Sequence, residues 1–312
     1  MMKVIVIGDL IIDIYHQGKI LGASVEASRF SPKTVIKHEI SRVSAGGAGF
    51  LVRNMLALGG DVVFLTCVGC DDYAKEEASL SHNRLKKIVL KDPKRKTTVK
   101  ERFWVDGCKV LAWDRLDNKP ISPAIEGKIL NFTKNHIKDV DKIIISDYRH
   151  GLITKYLAGK LVRLAKTNRK PIYIDSQVSQ SETNHAWYRG ADLFCLNAKE
   201  AKSIDPKFAE GEIKKSLARI QKILQTKNVI LKLGDKGSAS LLGEKFIKTK
   251  VFKIKAVDAT GAGDAFFAVL ALSKNLTERE LEIANAWAGL ETTLYGTQTP
   301  SLANLKKYVK LI

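Results

Sequence analysis

The segment at residues 257–266 holds the side chains best suited to chemistry. Gly261, Ala262 and Gly263 form a small-residue turn, and Asp264 follows directly, before an apolar run that can begin a helix. A glycine turn at a helix N-terminus presents unpaired N–H groups and the positive end of the helix dipole, which favour an anion such as a phosphoryl group. A carboxylate beside that anion is suited to accept a proton from an attacking hydroxyl. The pattern predicts phosphoryl transfer to an alcohol, with Asp264 as general base.

This string closely resembles the C-terminal signature of the ribokinase-like (PfkB) carbohydrate kinases, which usually reads Asp-Thr-x-Gly-Ala-Gly-Asp. Four other strings resemble motifs of that family in the same chain order, at residues 8–13, 44–49, 197–200 and 232–237. The sequence contains neither a P-loop motif nor a Gly-x-Gly-x-x-Gly motif after the first strand. It therefore gives no support for a P-loop or dinucleotide-binding protein. The resemblance implies a kinase that uses ATP and Mg²⁺.

Each of these strings also has a plain local interpretation. Asp9 and Asp13 could bind sugar hydroxyls, since a carboxylate accepts two hydrogen bonds, or could belong to a turn that caps a helix. Asn197 could likewise cap a helix. With the resemblance, the substrate-binding candidates are Asp13, Gly46, Gly47, Lys100, Arg102 and Asp147. The resemblance also implies Mg²⁺ held through water by Glu200 and a monovalent cation such as K⁺ at Asp258. The nucleotide-binding candidates that it implies are Asn197, Glu200, Lys232, Gly234, Gly237 and Thr260.

The elements that must position these residues alternate between apolar strands and helical patterns. This alternation indicates an α/β fold with a mostly parallel central sheet and helices on both faces. Strands are predicted at residues 4–7, 62–68, 142–145, 171–174, 193–196 and 229–233. Several end in an acid or amide, and ligands bind beyond the carboxyl ends of such strands, so a cleft is expected there. Helices are expected at residues 50–58 and after a capping box formed by Thr277 and Glu280.

Two segments, at about residues 14–43 and 97–116, break this alternation and are expected to be extended. Asp106 and Gly107 stand between apolar runs, which predicts a hairpin. Together the segments could form a small β lid, a feature that the family also has. We expect a single ribokinase-like kinase domain over residues 1–312, without the nucleotidyltransferase domain that is often fused to related kinases. Lid sheets of this family often pair between subunits, which implies a homodimer.

Composition narrows the range of partners. The chain has 52 Lys and Arg against 33 Asp and Glu, a net charge of +19. Its densest basic run, residues 86–100, lacks the interleaved aromatic residues of a single-strand binder, so a solvated surface is favoured over nucleic-acid binding. With no membrane-length apolar run and no signal-peptide pattern, we expect a cytoplasmic protein and no membrane partner. Cys67 and Cys70 have metal-like spacing without a second pair, and we interpret them as core thiols.

A finer resemblance links nearly the whole chain to the kinase domain of bacterial heptose enzymes, which phosphorylate D-glycero-β-D-manno-heptose 7-phosphate at the anomeric oxygen for ADP-heptose and lipopolysaccharide core synthesis. It rests on strings such as those at residues 24–27 and 95–102. Polar or cationic residues of the expected patterns are replaced at Phe50, His150 and Gln177. The alternatives are therefore a kinase for another sugar or a nucleoside, a non-catalytic sugar or nucleotide binder, and a nucleic-acid binder.

Overall fold

A computed structural model describes residues 2–23, 34–178, 182–251 and 254–309, so the string at residues 24–27 lies outside the described part. The strands are β1 (Lys3–Gly8), β2 (Leu10–Ala23), β3 (Thr34–Gly47), β4 (Asp61–Val68), β5 (Leu85–Lys91), β6 (Val99–Val105), β7 (Cys108–Arg115), β8 (Lys142–Asp147), β9 (Ile172–Ser176), β10 (Leu193–Asn197), β11 (Asn228–Lys232), β12 (Ser238–Leu242) and β13 (Lys245–Thr249). The α-helices are α1 (Ala48–Ala57), α2 (Pro123–His136), α3 (Lys155–Thr167), α4 (Ala198–Ile204), α5 (Ile213–Leu224), α6 (Ala262–Leu272), α7 (Glu278–Glu291) and α8 (Leu302–Val309).

A nine-stranded sheet forms the centre of the molecule, in the order β13-β12-β11-β10-β9-β8-β1-β4-β5. The strands from β5 to β11 in this order are parallel, and the hairpin β12–β13 adds antiparallel strands at one edge. All six strands predicted from apolar runs are present. Strand β5 is not among the predicted strands, because two lysines interrupt its short apolar run and a third ends it. The strand order reverses between β1 and β8, the place where open α/β sheets bind ligands.

Helices cover both faces of this sheet. In β1, Val4 and Val6 belong to one buried cluster with side chains of α1, α6 and α7, whereas Ile5 and Ile7 belong to a second cluster with side chains of α2, α3 and α5. Because both faces are buried, the strand is apolar throughout instead of alternating. The predicted α/β class, with a mostly parallel sheet between two helical layers, is confirmed.

A separate four-stranded sheet, which we call the lid sheet, has the order β3-β2-β6-β7. The first predicted extended segment begins earlier and ends later than expected, since β2 starts at Leu10 and β3 ends at Gly47. The strands β6 and β7 lie within the second predicted segment. The β6–β7 hairpin turns at Asp106 and Gly107, both with positive φ, as the sequence predicts. One consequence is that Asp13 lies within a strand and does not cap a helix.

Two local predictions need correction. Thr277 precedes α7, but its hydroxyl contacts the Glu280 carboxylate instead of a backbone amide, so the predicted capping box does not form. Cys67 is buried as expected, whereas Cys70 is exposed and is not a core thiol. Within the described residues, no cluster of His, Cys, Asp and Glu suits a metal ion, and no helix has the length and apolar character to cross a bilayer.

Candidate active site

A cleft of about 700 Å³ lies at the carboxyl ends of the central strands, next to the lid sheet. Two of the predicted site residues do not line it: Gly46 packs behind Asp13, and Asp258 lies behind Thr260. The cleft brings together the other predicted residues, namely Asp13, Gly47, Lys100, Arg102, Asp147, Asn197, Glu200, Lys232, Gly234, Gly237, Thr260, Gly261, Ala262, Gly263 and Asp264.

The turn that precedes α6 has the features of an anion site. Gly261 has a φ of +99°, and a Cβ at this position would lie 2.4 Å from Cε1 of Phe50, so glycine is required. The amide of Ala262 donates to the carbonyl of Ala259 at 3.3 Å. A Cβ on Gly263 would lie 3.4 Å from the ammonium nitrogen of Lys232. A helix N-terminus and a nearby ammonium group therefore meet at this turn, and both attract an anion.

Asp264 lies in the first turn of α6 and is partly exposed to the cleft. The hydroxyl of Tyr148 donates to its Oδ2 at 2.5 Å. The pKa of Asp264 is raised to about 7, mainly by burial and also by the charges of Asp175 and Asp13, while the Tyr148 hydrogen bond and Lys232 act in the opposite direction. A carboxyl group with a pKa near neutrality can be ionised before the reaction and can still take up a proton, as a general base must.

The end of the cleft near α4 contains a largely buried ion pair and a helix cap. Lys232 Nζ lies 2.9 Å from Oδ2 of Asp175. Burial opposes the charge of Lys232, but Asp175 and other neighbouring acids outweigh burial and raise the pKa of the lysine. Asn197 and Glu200 form a capping box at the start of α4, with distances of 2.9 and 2.7 Å. Asn197 therefore caps a helix and lines the cleft as well.

Glu200 is almost fully buried at this capping box. Burial raises the pKa of its carboxyl group to about 7, and the charge of Lys232 acts in the opposite direction. The adjacent loop between β11 and β12 turns at Gly234 and Gly237, both with positive φ. A Cβ on Gly237 would lie 2.2 Å from the carbonyl oxygen of Thr249, so the loop depends on glycine there.

The opposite end of the cleft is formed by the lid sheet and centres on Asp13. A Cβ on Gly46 would lie 2.0 Å from Oδ2 of Asp13, so glycine at this position makes room for the carboxylate. The hydroxyl of Thr297 donates to the same oxygen at 3.3 Å. Burial raises the pKa of Asp13 to about 6, while the nearby cations Lys100 and Arg102 lower it. A largely buried carboxylate beside two cations is well placed to accept hydrogen bonds from hydroxyl groups.

Lys100 and Arg102 extend from β6 toward this end of the cleft and are partly exposed. The ammonium group of Lys100 lies 5.9 Å from the centre of the Tyr148 ring. Arg102 forms an ion pair with Asp114 on the neighbouring strand β7 and donates to the carbonyl of Glu101 at 2.8 Å. Two cations therefore stand near Asp13, on the same strand and facing the same way.

Asp9 has a structural role in the loop after β8. Its buried carboxylate accepts hydrogen bonds from the amides of Tyr148, His150 and Leu152 at 3.0–3.3 Å. Gly47 passes close to it, since a Cβ there would lie 2.6 Å from the Asp9 carbonyl. Asp9 thus fixes the loop after β8 and does not offer its carboxylate to a ligand.

Asp147 is 1% exposed, and protein groups occupy both of its carboxylate oxygens. Oδ2 accepts from Ser176, Asn184 and Tyr188 at 2.6–3.0 Å, and Oδ1 accepts from the amide of Arg149 at 2.8 Å. The side chain therefore joins the ends of β8 and β9, although its residue borders the cleft.

The three positions that depart from the expected patterns have different surroundings. Phe50 is fully buried and packs beneath Gly261. His150 Nδ1 lies 2.7 Å from Oδ1 of Asn118, and burial together with two nearby cations lowers the His150 pKa to about 4, so the imidazole is neutral. Of these three positions, Gln177 is the one that lines the cleft.

Asp258 connects the turn at residues 258–263, which we call the anion turn, to the segment after α7. Its Oδ1 accepts from the amide and the hydroxyl of Thr260 at 3.0 and 2.7 Å, and its Oδ2 accepts from the amide of Gly296 at 3.2 Å. The turn at residues 258–263 is thereby tied to the residues that follow α7.

Four further residues at the site are not among the sequence candidates: Tyr148, Asp175, Thr297 and Glu291. Tyr148 and Asp175 lie at the carboxyl ends of β8 and β9, a position that already predicts proximity to the cleft. Thr297 contacts Asp13 from a distant part of the chain. Glu291 is fully buried on α7, where helical spacing places it on the apolar face. A charged residue at such an apolar position is the sequence feature that could have identified it.

Comparison with known proteins agrees with this geometry. A model of the "pfkB family carbohydrate kinase" matches residues 1–304. The Bifunctional protein HldE of a Nitratiruptor species is 29% identical over 317 residues, covering 99% of this chain and 65% of that protein. The protein of the same name from Campylobacter fetus subsp. fetus is 31% identical over 322 residues, covering 98% of this chain and 67% of that protein. The chain spans about two thirds of the length of these relatives.

Solved structures show the same fold. Arabidopsis thaliana ribokinase, complexed with ribose and ATP, has a TM-score of 0.73 at 20% identity and covers 99% of both chains. Escherichia coli phosphofructokinase-2, in complex with potassium, has a TM-score of 0.79 at 14% identity and covers 100% of this chain and 99% of that chain. Since the family model matches nearly the whole length, the chain belongs to the pfkB family of carbohydrate kinases and is an ATP-dependent carbohydrate kinase.

Proposed function

We propose that this kinase phosphorylates a sugar that already carries a phosphate, and that its acceptor is D-glycero-β-D-manno-heptose 7-phosphate at O1. The observation that carries the proposal is the pair of cations, Lys100 and Arg102, beside Asp13 in the same cleft as Asp264. Two cations suit a phosphate group, and a carboxylate suits sugar hydroxyls. The HldE relatives, at 29–31% identity, support heptose as the sugar.

The reaction is an in-line transfer of the γ-phosphoryl group. The acceptor oxygen forms a bond to the γ-phosphorus as the bond to the β,γ-bridging oxygen breaks, and ADP leaves. Asp264 takes the proton of the acceptor hydroxyl. The backbone N–H groups at residues 261–263 and the ammonium group of Lys232 stabilise the negative charge on the transferred group. Because Ala262 already donates to Ala259, we assign the larger share to Gly261 and Gly263.

The residues on the nucleotide side fit ATP and Mg²⁺. The turn at Gly261 and Gly263 has no Cβ to obstruct phosphate oxygens, and Lys232 lies beside it. Asn197 and Glu200 supply oxygen atoms at the cleft, the ligand type that Mg²⁺ prefers while it keeps most of its waters. When bound, Mg²⁺ neutralises part of the phosphate charge. Thr260, Gly234 and Gly237 complete the proposed nucleotide contacts.

The first test is ATP-dependent phosphorylation of heptose 7-phosphate, followed by ³¹P NMR. A new anomeric phosphate supports the proposal. Turnover of fructose 6-phosphate or of an unphosphorylated sugar, without product from heptose 7-phosphate, would contradict the heptose assignment and leave the kinase activity intact. Asp264→Asn should lower kcat by about 10²- to 10⁴-fold with little change in ATP affinity, because the general base is lost and the shape is kept.

A second test addresses the acceptor's phosphate. Lys100→Met and Arg102→Met should each raise the KM for the sugar phosphate about tenfold or more and leave the KM for ATP unchanged. Lys109→Met is the matched control, since Lys109 is on the lid sheet but faces Trp104 and does not line the cleft. Equal effects of all three substitutions would show that the overall positive charge of the lid sheet, and not a specific phosphate site, explains the result.

We also propose a monovalent cation, K⁺, near Asp258. The turn at residues 258–260 and the segment around Gly296 lie together there, and the E. coli structural relative was determined with potassium. Replacement of K⁺ by tetramethylammonium at constant ionic strength should lower turnover and also lower the melting temperature. A melting temperature that is the same in both salts would contradict K⁺ binding to the free enzyme.

We further propose that the lid sheet pairs with a second copy of the chain. Every described residue of the edge strand β7 is exposed, and large apolar side chains on β2 and β7 face solvent, including Ile20, Leu21, Val110 and Trp113. Light scattering after size exclusion should give the mass of a dimer. Trp113→Lys together with Val110→Lys should give a monomer, whereas an unchanged mass would place the contact elsewhere.

A further inference from the structure

We propose that Tyr148 is the positioning residue of the general base: its hydroxyl holds Oδ2 of Asp264 and so leaves Oδ1 to receive the proton of the acceptor. The inference rests on the proposed role of Asp264. The two side chains come from different parts of the fold, since Tyr148 follows β8 and Asp264 begins α6. Their 2.5 Å hydrogen bond spans the wall of the cleft, and both residues line it.

Tyr148 is itself held in place from the backbone. Its amide donates to Oδ2 of Asp9 at 3.0 Å, and the amides of His150 and Leu152 donate to the same carboxylate. Asp9 is buried directly after β1, so the loop that carries the tyrosine is fixed to the centre of the sheet. The ring also lies under the ammonium group of Lys100. The hydroxyl can therefore determine the orientation of the Asp264 carboxylate, which would otherwise rotate about its own side-chain bonds.

The charges around Asp264 show why a donor is needed. Titratable groups from four elements face Asp264: Asp175 on β9, Asp13 on β2, Lys232 on β11 and Glu291 on α7. Glu291 keeps its proton near neutral pH, so the negative charges come from Asp175 and Asp13. Burial, together with the charges of Asp175 and Asp13, favours the protonated form of Asp264, in which it cannot act as a base. The Tyr148 hydrogen bond favours the ionised form. Burial and Asp264 raise the pKa of Tyr148 well above its ordinary value, so the hydroxyl keeps its proton and remains a donor.

Tyr148→Phe removes this hydroxyl and preserves the ring. We expect the pKa of Asp264 to rise from about 7 by about one unit, because the charge-assisted hydrogen bond is lost. The ionised fraction at pH 7 then falls from about half to about a tenth, and kcat falls about fivefold from protonation alone. At pH 9 this part of the loss disappears, and any remaining deficit measures the loss of orientation. The acid limb of the kcat profile therefore moves to higher pH.

Tyr173→Phe is the matched control, since Tyr173 is buried on β9 beside Lys142 and does not line the cleft. It should leave the pH profile unchanged. ATP affinity, measured by calorimetry, should be the same for both variants. If Tyr148→Phe folds poorly, 3-fluorotyrosine incorporated at position 148 provides a stronger donor, and it should move the acid limb to lower pH.

The outcomes separate this inference from the proposed function. An acid limb in the same place for the wild type, Tyr148→Phe and the fluorotyrosine form would overturn the role of Tyr148. If Asp264→Asn retains full turnover, the base assignment itself fails, whatever the tyrosine variants show. Loss of turnover in Asp264→Asn combined with a normal Tyr148→Phe profile rejects the positioning role alone.

Discussion

Glu291→Gln tests whether a buried carboxyl group beneath the anion turn lowers the stability of this protein near neutral pH. Glu291 is fully buried, and neither carboxyl oxygen has a hydrogen-bond partner among the described residues. Its Oε1 lies 3.1 Å from the position that a Cβ on Gly261 would occupy. Burial raises the pKa of Glu291 from 4.5 to about 9, and the charges of Asp264 and Asp258 act in the same direction. The folded protein therefore keeps this proton at pH values where the unfolded chain loses it.

The magnitude follows from this difference in proton binding. Between the unfolded pKa of 4.5 and the folded value of about 9, the unfolded state binds fewer protons, so the free energy of unfolding decreases as pH rises. Each pH unit in this range is worth about 1.4 kcal/mol, which gives about 3 kcal/mol by pH 7. Glutamine resembles the protonated acid and does not titrate. Glu291→Gln should therefore be more stable by about 3 kcal/mol at pH 7, but by only about 1 kcal/mol at pH 5.

The assay is urea unfolding at pH 5, 7 and 8.5, with thermal melting alongside. At roughly 2 °C per kcal/mol, the melting temperature at pH 7 should rise by about 6 °C. Glu278→Gln is the control on the same helix, because Glu278 is exposed; its effect should stay within about 0.5 kcal/mol at every pH. A stability difference between Glu291→Gln and the wild type that is the same at pH 5 and pH 8.5 would refute the reasoning.

Three other substitutions probe the cleft. Gly261→Ala places a Cβ 2.4 Å from Phe50 at a positive φ, and it should lower both stability and kcat, the latter by about tenfold or more, in melting and kinetic assays. Lys232→Met leaves the largely buried Asp175 without its cation and should cost about 3 kcal/mol in urea unfolding, whereas adding Asp175→Asn should recover part of this loss. Asp13→Asn should raise the KM for the acceptor but not for ATP. In the wild type, the acceptor KM should rise as the pH falls below the Asp13 pKa of about 6, and the variant should lack this pH dependence.

The sequence predicts the fold better than it predicts individual contacts. The apolar runs locate the six central parallel strands because both faces of the sheet are buried, and the turn before α6 is evident because it needs glycine. The roles of acids at strand ends are not evident. Asp9 and Asp13 are four residues apart, yet one fixes a backbone loop and the other faces the cleft. Partners from distant parts of the chain decide this difference, and periodicity carries no information about them.

The positions that depart from the expected patterns show why a motif mismatch is a poor guide to lost function. Phe50 replaces a polar residue, but it is buried under Gly261, where it packs against the backbone of the anion turn. His150 is neutral and held by Asn118, so it contributes no charge. Of the three, Gln177 alone lines the cleft. Under the proposed function, we therefore expect acceptor choice to depend mainly on Gln177, Lys100 and Arg102, which line the cleft.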